Sequence, residues 1–301
     1  MKAIVLEEFG GIDQLELREV PDPRPAAGEV VVAIAATSVN PIDYKLRSGS
    51  ARARIPLELP AILGRDIAGE VVELGAGVTG VRVGDRVLGL GMRSYAEKAA
   101  IRADVLAPIP AGLDAAEAGA LPLVLTTGGQ LVAHASPKPG QWMLVTGAAG
   151  AVGRAAVFDA RRRVARVIAG VRGRQKSAAA ELGADRVVAL DDEAEIAQLP
   201  ELDIIADTVG GETIGKLLPH LRPGGTLASV LGEPAAAKGK PIEVRAFMAQ
   251  PDAELLRALV EAVAQKQLAI PIAQRLPLAK AGEAQQLVEQ HKVAGKVLLL
   301  P

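Results

Sequence analysis

Cysteine is absent from the 301 residues, so disulfides, thiol nucleophiles and thiolate zinc ligands are all excluded. Aromatic residues are nearly absent too: one Trp, two Tyr and three Phe leave no basic-aromatic surface on which nucleic-acid bases would stack. Charge of either sign is not in excess, with 34 Lys and Arg against 35 Asp and Glu, so no global field recruits a polyanion or an anionic membrane. No apolar run approaches the roughly 20 residues that cross a bilayer. The opening MKAIVLEEFG lacks the long apolar centre of a signal peptide and reads as a first strand. His134, His220 and His291 are expected in helices without ligand spacing, which argues against a metal site. The expectation is a soluble cytoplasmic protein with no nucleic-acid partner, no membrane and no metal.

Half of the residues are hydrophobic, ample for a core, and the length has room for about two domains. The rest of the chain is organised around WMLVTGAAGAVG, Trp142 to Gly153. Met143, Leu144, Val145 and Thr146 form a short, mostly apolar run suited to a strand buried on both faces of a parallel sheet. Glycines follow at Gly147, Gly150 and Gly153, then the helix-forming RAAVFDARRR. Strand, glycine turn and helix open a dinucleotide-binding βαβ unit. Glycine lets the backbone turn tightly and approach a pyrophosphate, and the free N–H groups of the helix start favour the anion. Ala148 and Ala149 between the first two glycines depart from the strict G-x-G-x-x-G spacing, so by themselves the glycines also fit a plain tight connection.

Before this unit, short β segments (AIVLEE, QLELREV, EVVVAIAATSV, AGEVVELG, DRVLGL, SYAEKAAI) alternate with Pro and Gly turns, which predicts an all-β, barrel-like domain. LDAAEAGALPLVLTTGGQLVAHA, from Leu113, reads as a helix joining the two parts. After the glycine turn strands and helices alternate, five strands with helical crossovers, predicting a doubly wound parallel sheet with KPIEVRAF as a possible edge strand. Asp252 is the expected N-cap of an amphipathic helix. The tail reads strand, helix, strand, and the last strand is expected to return to the β domain.

Several segments in this order carry a resemblance: ATSVNPIDYKLRSG, PAILGRDIAGEVVELGAGV, VGDRV, SYAE, ALPLVLTT, LGAD, DTVGG and AGKVLLL. The sequence resembles the medium-chain dehydrogenase/reductase superfamily, in its zinc-independent quinone oxidoreductase (zeta-crystallin-like) branch. The resemblance implies an α/β fold, a GroES-like β-barrel domain over residues 1–121 and 267–301 with a doubly wound Rossmann domain over 122–266. It implies that Asn40 and Tyr44 face the nicotinamide and substrate, with Asn40 in contact with one of them, and that Thr126 lies beside the nicotinamide ribose. The cofactor would rest on Gly147, Ala149, Gly150, Ala151, Val152 and Gly153, and on Val209, Gly210, Leu231 and Gly232 beyond the carboxyl ends of sheet strands. Zinc-dependent relatives carry cysteines and a Gly-His-Glu segment. Here the comparable segment is Gly64-Arg65-Asp66, so no zinc is expected.

The strand following the glycine helix ends in AGVRGRQK, without the acid that would bind the ribose hydroxyls of NAD. Arg172, Arg174 and Lys176 offer cations to a 2′-phosphate there, which points to NADPH (NADP); a solvated basic helix start is the plainer alternative. Without zinc to polarise a ketone, the expected acceptor is a quinone or α,β-unsaturated carbonyl, reduced by hydride transfer that needs alignment and exclusion of water. Tyr44 is the candidate proton donor, with an aromatic filling the domain interface as its alternative and water as the other source of the proton; Arg47 and Arg65 are expected either to favour an anion or to pair with Asp43 or Asp66. Two other functions stand beside this one: an enoyl or 2-alkenal reductase on the same scaffold, and a non-catalytic NADPH-binding regulatory or RNA-binding protein. A homodimer is the expected assembly.

Overall fold

Alternation along the central strands fixes the architecture of the second half of the chain. Met143, Val145, Val167, Ala169, Ile204 and Ala206 pack into one buried cluster, while their neighbours Leu144, Ile168 and Ile205 pack into another. A strand whose two faces are both buried belongs to a sheet covered by helices on both sides. The computed structural model describes every residue from Met1 to Pro301 except Val164. Among the described residues the chain divides into two units, Met1–Leu123 with Pro251–Pro301, and Val124–Gln250.

The first unit is the expected β domain. Its elements are β1 (Lys2–Leu6), β2 (Leu15–Glu19), β3 (Glu29–Ser38), α1 (Pro41–Arg47), β4 (Ala61–Ile62), β5 (Asp66–Leu74), β6 (Arg86–Leu90), β7 (Lys98–Arg102), β8 (Leu106–Pro108) and α2 (Ala115–Ala118). A small sheet orders β2-β1-β4, and a larger one runs from β3 through β5 and β6 to β8, with β7 also paired to β3. Val30, Val32, Ile34, Ile67, Val71 and Ile101 fill the core of the larger sheet.

The helix predicted from Leu113 is two helices, α2 and α3 (Pro122–Ala135). Pro122 starts the second, a position where its missing N–H costs nothing. Gly119, between them, packs so closely on β3 that an added Cβ would lie 2.7 Å from the Ala36 carbonyl oxygen.

The second unit continues from α3 with β9 (Trp142–Thr146), α4 (Ala151–Arg162), β10 (Arg166–Val171), α5 (Lys176–Ala180), β11 (Arg186–Ala189), α6 (Glu193–Ala197), β12 (Leu202–Asp207), α7 (Gly211–Leu217), β13 (Leu221–Ser229) and β14 (Glu243–Ala246). The sheet order is β11-β10-β9-β12-β13-β14, every pair parallel. KPIEVRAF is thus a sixth strand, β14, at the edge. Residues of α3, α4 and α5 join one face cluster and residues of α6 and α7 the other, so the sheet is doubly wound as expected.

The chain then re-enters the first unit at α8 (Ala253–Ala264), followed by β15 (Ile272–Pro277), α9 (Ala281–Glu289) and β16 (Lys296–Leu300). Asp252 caps α8, accepting a hydrogen bond from the Leu255 N–H. The return comes earlier than the boundary at 267 expected from the sequence: α8 turns its apolar stripe (Leu256, Leu259, Val260) inward and packs on β8. β16 pairs antiparallel with β3, as the tail predicted.

Candidate active site

Two groups of residues carry the candidate chemistry, one in each unit. In the first, β3 ends at Ser38 and the chain turns into α1 through Asn40, whose extended backbone (φ −125°) makes it the N-cap ahead of Pro41. The Asn40 N–H donates to Asp43 Oδ2 at 2.8 Å, the reciprocal arm of a capping box. The Asn40 side chain turns inward: Nδ2 donates to Asp66 Oδ2 (2.7 Å) and to the Ser38 carbonyl (3.3 Å), and Oδ1 accepts from Lys296 Nζ at 2.5 Å. Asn40 is completely buried with its amide hydrogens and carbonyl all engaged. Its side chain is engaged within the first unit, where it organises the first turn of α1.

Asp66 and Lys296 form the buried charge pair of this cluster, 3.8 Å apart. Asp66 also accepts from the Ser38 hydroxyl and from the Leu123 N–H (2.7 Å). Lys296 donates to the Val39 carbonyl at 3.2 Å; burial holds its pKa below the ordinary lysine value, opposed by the carboxylates of Asp66 and Asp43. Asp43 is fully buried, and burial raises its pKa to about 7, assisted by the nearby Asp66 charge. Its Oδ2 accepts from the Tyr95 hydroxyl at 3.0 Å, and its Oδ1 has no partner.

The two arginines do not pair as expected. Arg47 binds Gln285 Oε1 (3.0 Å), Glu289 (2.9 Å) and the Gly10 carbonyl (3.2 Å), not Asp43. Arg65 donates to the Gly91 carbonyl (2.8 Å) while Asp66 takes Lys296, because their side chains leave opposite faces of the chain at the start of β5. Tyr44, one turn into α1, is partly buried. Desolvation, then the charge of Glu289, push its hydroxyl pKa up, so it stays protonated as a hydrogen-bond donor.

The second group surrounds the glycine turn between β9 and α4. Gly147 sits at φ +62°, and an added Cβ would lie 2.6 Å from Thr208 Oγ1. At Gly153 a Cβ would come within 2.2 Å of the Gly147 carbonyl oxygen, so α4 lies directly against the turn. Over Gly150, the N-cap, an added Cβ meets only the Gly147 carbonyl oxygen at 3.2 Å, leaving a bare backbone surface. The first backbone bond into α4 is Arg154 N–H to the Gly150 carbonyl, 2.8 Å; among the described residues the N–H groups of Ala151, Val152 and Gly153 have no acceptor. Bare backbone and unfilled donors at the positive end of a helix fit a pyrophosphate.

Asp207, at the end of β12, was not singled out in the sequence. It is buried and ties the neighbouring strand ends together, accepting from Thr146 Oγ1 (3.0 Å), from the N–H groups of Val209 (3.0 Å) and Gly210 (2.8 Å), and from Ser229 Oγ (2.9 Å). Beyond it, Val209 and Leu231 expose 47% and 40% of their surface, apolar side chains at the carboxyl ends of adjacent parallel strands, with Gly210 and Gly232 in left-handed conformations beside them. Thr126, in α3, is buried with its hydroxyl unpartnered.

Of the three bases after β10, Lys176 is already committed, paired with Glu195 at 2.7 Å. Arg172 and Arg174 are exposed and, among the described residues, in no ion pair, while Asp191 nearby is used to accept from the Gly173 N–H at 2.7 Å. His134 lies in α3 and His220 in a short 3-10 turn, but His291 falls past α9 at φ +53°, outside any helix. Among the described residues no three His, Cys, Asp or Glu come together as a metal site would require.

The chain matches the alcohol dehydrogenase GroES-like domain family over residues 26–111 and the zinc-binding dehydrogenase family over residues 182–299. It is 30% identical to a chloroplast envelope quinone oxidoreductase homolog of Arabidopsis thaliana, over 97% of this chain and 95% of that protein. It is 27% identical to a chloroplastic NADPH-dependent alkenal/one oxidoreductase of the same plant, over 100% of this chain and 80% of that one. Among solved structures, a mycobacterial protein complexed with NADPH superposes with a TM-score of 0.85 at 29% identity, each chain covered in full.

Proposed function

Since the chain belongs to the quinone oxidoreductase branch of the medium-chain dehydrogenase/reductase superfamily, we propose that it is an NADPH-dependent reductase of quinones or α,β-unsaturated carbonyls that works without zinc. The observation that carries the cofactor assignment is the end of β10: no acid lies in Arg172 to Lys176, and among the described residues two exposed arginines there form no ion pair. A 2′-phosphate meets charge-assisted donors at that point, whereas the 2′-hydroxyl of NADH gains nothing comparable. Bound NADPH supplies the hydride. The chain's own residues hold the pyrophosphate on the N–H groups of Ala151, Val152 and Gly153, present Val209 and Leu231 as an apolar wall, and offer the Thr126 hydroxyl to the ribose.

Three features of the chain support the reading without zinc. Cysteine is absent, Arg65 stands in the segment where zinc-dependent relatives carry histidine, and Asp66 is consumed by Ser38, Asn40, Leu123 and Lys296. On this reading no Lewis acid polarises the acceptor, which is then electrophilic before it binds. A quinone or enone qualifies, and the developing oxyanion then needs only a hydrogen-bond donor, the role proposed for Tyr44. The buried Asn40 supports this from behind by fixing the helix turn on which Tyr44 stands.

Between the candidate acceptors, the similarity to an alkenal/one oxidoreductase supports including 2-alkenals and enones with quinones. A cytoplasmic homodimer is part of the proposal: β14 leaves an open sheet edge for a second copy, and among the described residues no helix is long and apolar enough to cross a membrane. Near-neutral charge favours a small-molecule substrate over nucleic acid. The test is NADPH and NADH oxidation against a panel of a quinone, a 2-alkenal, an enoyl thioester and a saturated ketone. Turnover confined to NADPH and the first three supports the assignment; reduction of the saturated ketone alone refutes it. Tight NADPH binding without turnover of any acceptor would make the chain a binding protein.

A further inference from the structure

We propose that Asp191 limits the preference for NADPH over NADH: its carboxylate, standing on the Gly173 N–H between Arg172 and Arg174, opposes the 2′-phosphate that the two arginines attract. The inference rests on the NADPH reading above and names the residue that sets its selectivity. The acid that β10 lacks at its end arrives from the next strand. β10 and β11 run parallel with Val171 beside Ala189, and the Leu190 N–H donates to the Val171 carbonyl at 2.7 Å. Asp191 therefore comes level with the residues just past β10, and its Oδ1 accepts from the N–H of Gly173, 18 positions away in the chain, at 2.7 Å. A Cβ added to Gly173 would lie 3.6 Å from that same oxygen, so the carboxylate rests against the backbone of the basic segment.

The acids that follow Asp191 have other partners. Asp192 caps α6 by accepting from the N–H groups of Ala194 (2.9 Å) and Glu195 (3.3 Å), Glu193 pairs with Lys216 (3.1 Å), and Glu195 pairs with Lys176 (2.7 Å). Asp191 is exposed, binds the backbone between the two arginines and, among the described residues, forms no ion pair. Its charge therefore stays uncompensated beside the point where a 2′-phosphate would meet Arg172 and Arg174. The 2′-hydroxyl of NADH carries no charge and meets no such repulsion. Selectivity is then a balance in which guanidiniums attract the phosphate and one carboxylate repels it. Between a phosphate of about two negative charges and an exposed carboxylate a few ångströms away, repulsion in high dielectric corresponds to about tenfold in affinity.

The experiment is calorimetric titration of the full chain with NADPH and with NADH, for the native protein, Asp191→Asn, Asp191→Ala and the double variant Arg172→Gln with Arg174→Gln. Thermal melting accompanies each to establish folding. D191N keeps an oxygen for the Gly173 N–H and removes only the charge, so NADPH should bind about tenfold more tightly and NADH within about twofold of native. D191A, which offers no new donor, should gain in the same direction. In about 1 M NaCl, where the Debye length is about 3 Å, the NADPH gain of D191N should shrink to within about twofold. An unchanged NADPH affinity in D191N, an equal gain for both cofactors, a gain in D191N alone, or a gain that survives the salt would each overturn the proposal. If the arginine variant loses the NADPH preference and D191N leaves it unchanged, the proposal fails while the cofactor reading stands. If the arginine variant binds NADPH as tightly as the native protein, the cofactor reading itself fails, and the proposal with it.

Discussion

Replacing Lys296 by Met tests the buried cluster beneath α1. The substitution roughly conserves volume but deletes an ammonium that donates to Asn40 Oδ1 (2.5 Å) and the Val39 carbonyl (3.2 Å) and faces Asp66 at 3.8 Å. Asp66 is completely buried, so its carboxylate would remain without a counter-charge, and Asn40 Oδ1 would lose its donor. Removing one partner of a buried ion pair costs about 3–5 kcal/mol. For domains of this size that corresponds to a drop of about 6–20 °C in Tm. Introducing Asp66→Asn beside Lys296→Met removes the stranded charge, so the double variant should regain stability relative to the sum of the singles, with a coupling of at least about 1 kcal/mol. The assay is thermal unfolding by circular dichroism of the four proteins of the cycle. A K296M protein melting within 2 °C of the native one (about 1 kcal/mol or less), or strictly additive variants, would refute the reasoning.

Other perturbations follow from the same geometry. Asp43, with a pKa of about 7 against an ordinary 3.8, is held more tightly protonated in the folded chain; its contribution to stability is full below about pH 4 and lost as pH rises through 7. Relative to Asp43→Asn, the native protein should lose at most about 4 kcal/mol between pH 4 and 8, read from urea midpoints across pH; a constant difference would contradict the assignment. Gly153→Ala drives a Cβ to 2.2 Å from the Gly147 carbonyl, so the turn must shift, and titration should find NADPH binding weakened at least about tenfold, not unchanged. Tyr44→Phe should lower kcat with an enone about 10- to 100-fold while the Kd for NADPH stays the same; an equal kcat would transfer the donor role to water. Chelator treatment should leave activity intact, and elemental analysis should find no stoichiometric zinc.

The sequence made the doubly wound sheet legible because both its signals are local: apolar runs buried on both faces, and glycines spaced for a strand-turn-helix. What stayed hidden was long-range. The resemblance implies a ligand contact for Asn40, and bonds to Asp66 and to Lys296, 26 and 256 positions away, hold its amide inward. Lys296 had a signal of its own, a lone cation opening the apolar strand KVLLL, which burial demands be paired. Asp207 had one too, closing the apolar run LDIIAD, yet its role in tying three strand ends depends on register. Lys176 and Arg172 are equivalent in sequence; Glu195 on a different helix distinguishes them. The early return at α8 is not legible in the sequence because an amphipathic helix declares that it has a buried face but not which surface covers it.

Hydride transfer from NADPH to an electrophilic carbon is read directly by isotopic labelling. NADPH carrying deuterium at C4, one diastereomer at a time, is turned over with an enone and the product analysed by mass spectrometry and NMR. One deuterium is expected at the β-carbon of the saturated product from one diastereomer and none from the other. A product without label from either diastereomer, or no product at all, would contradict it.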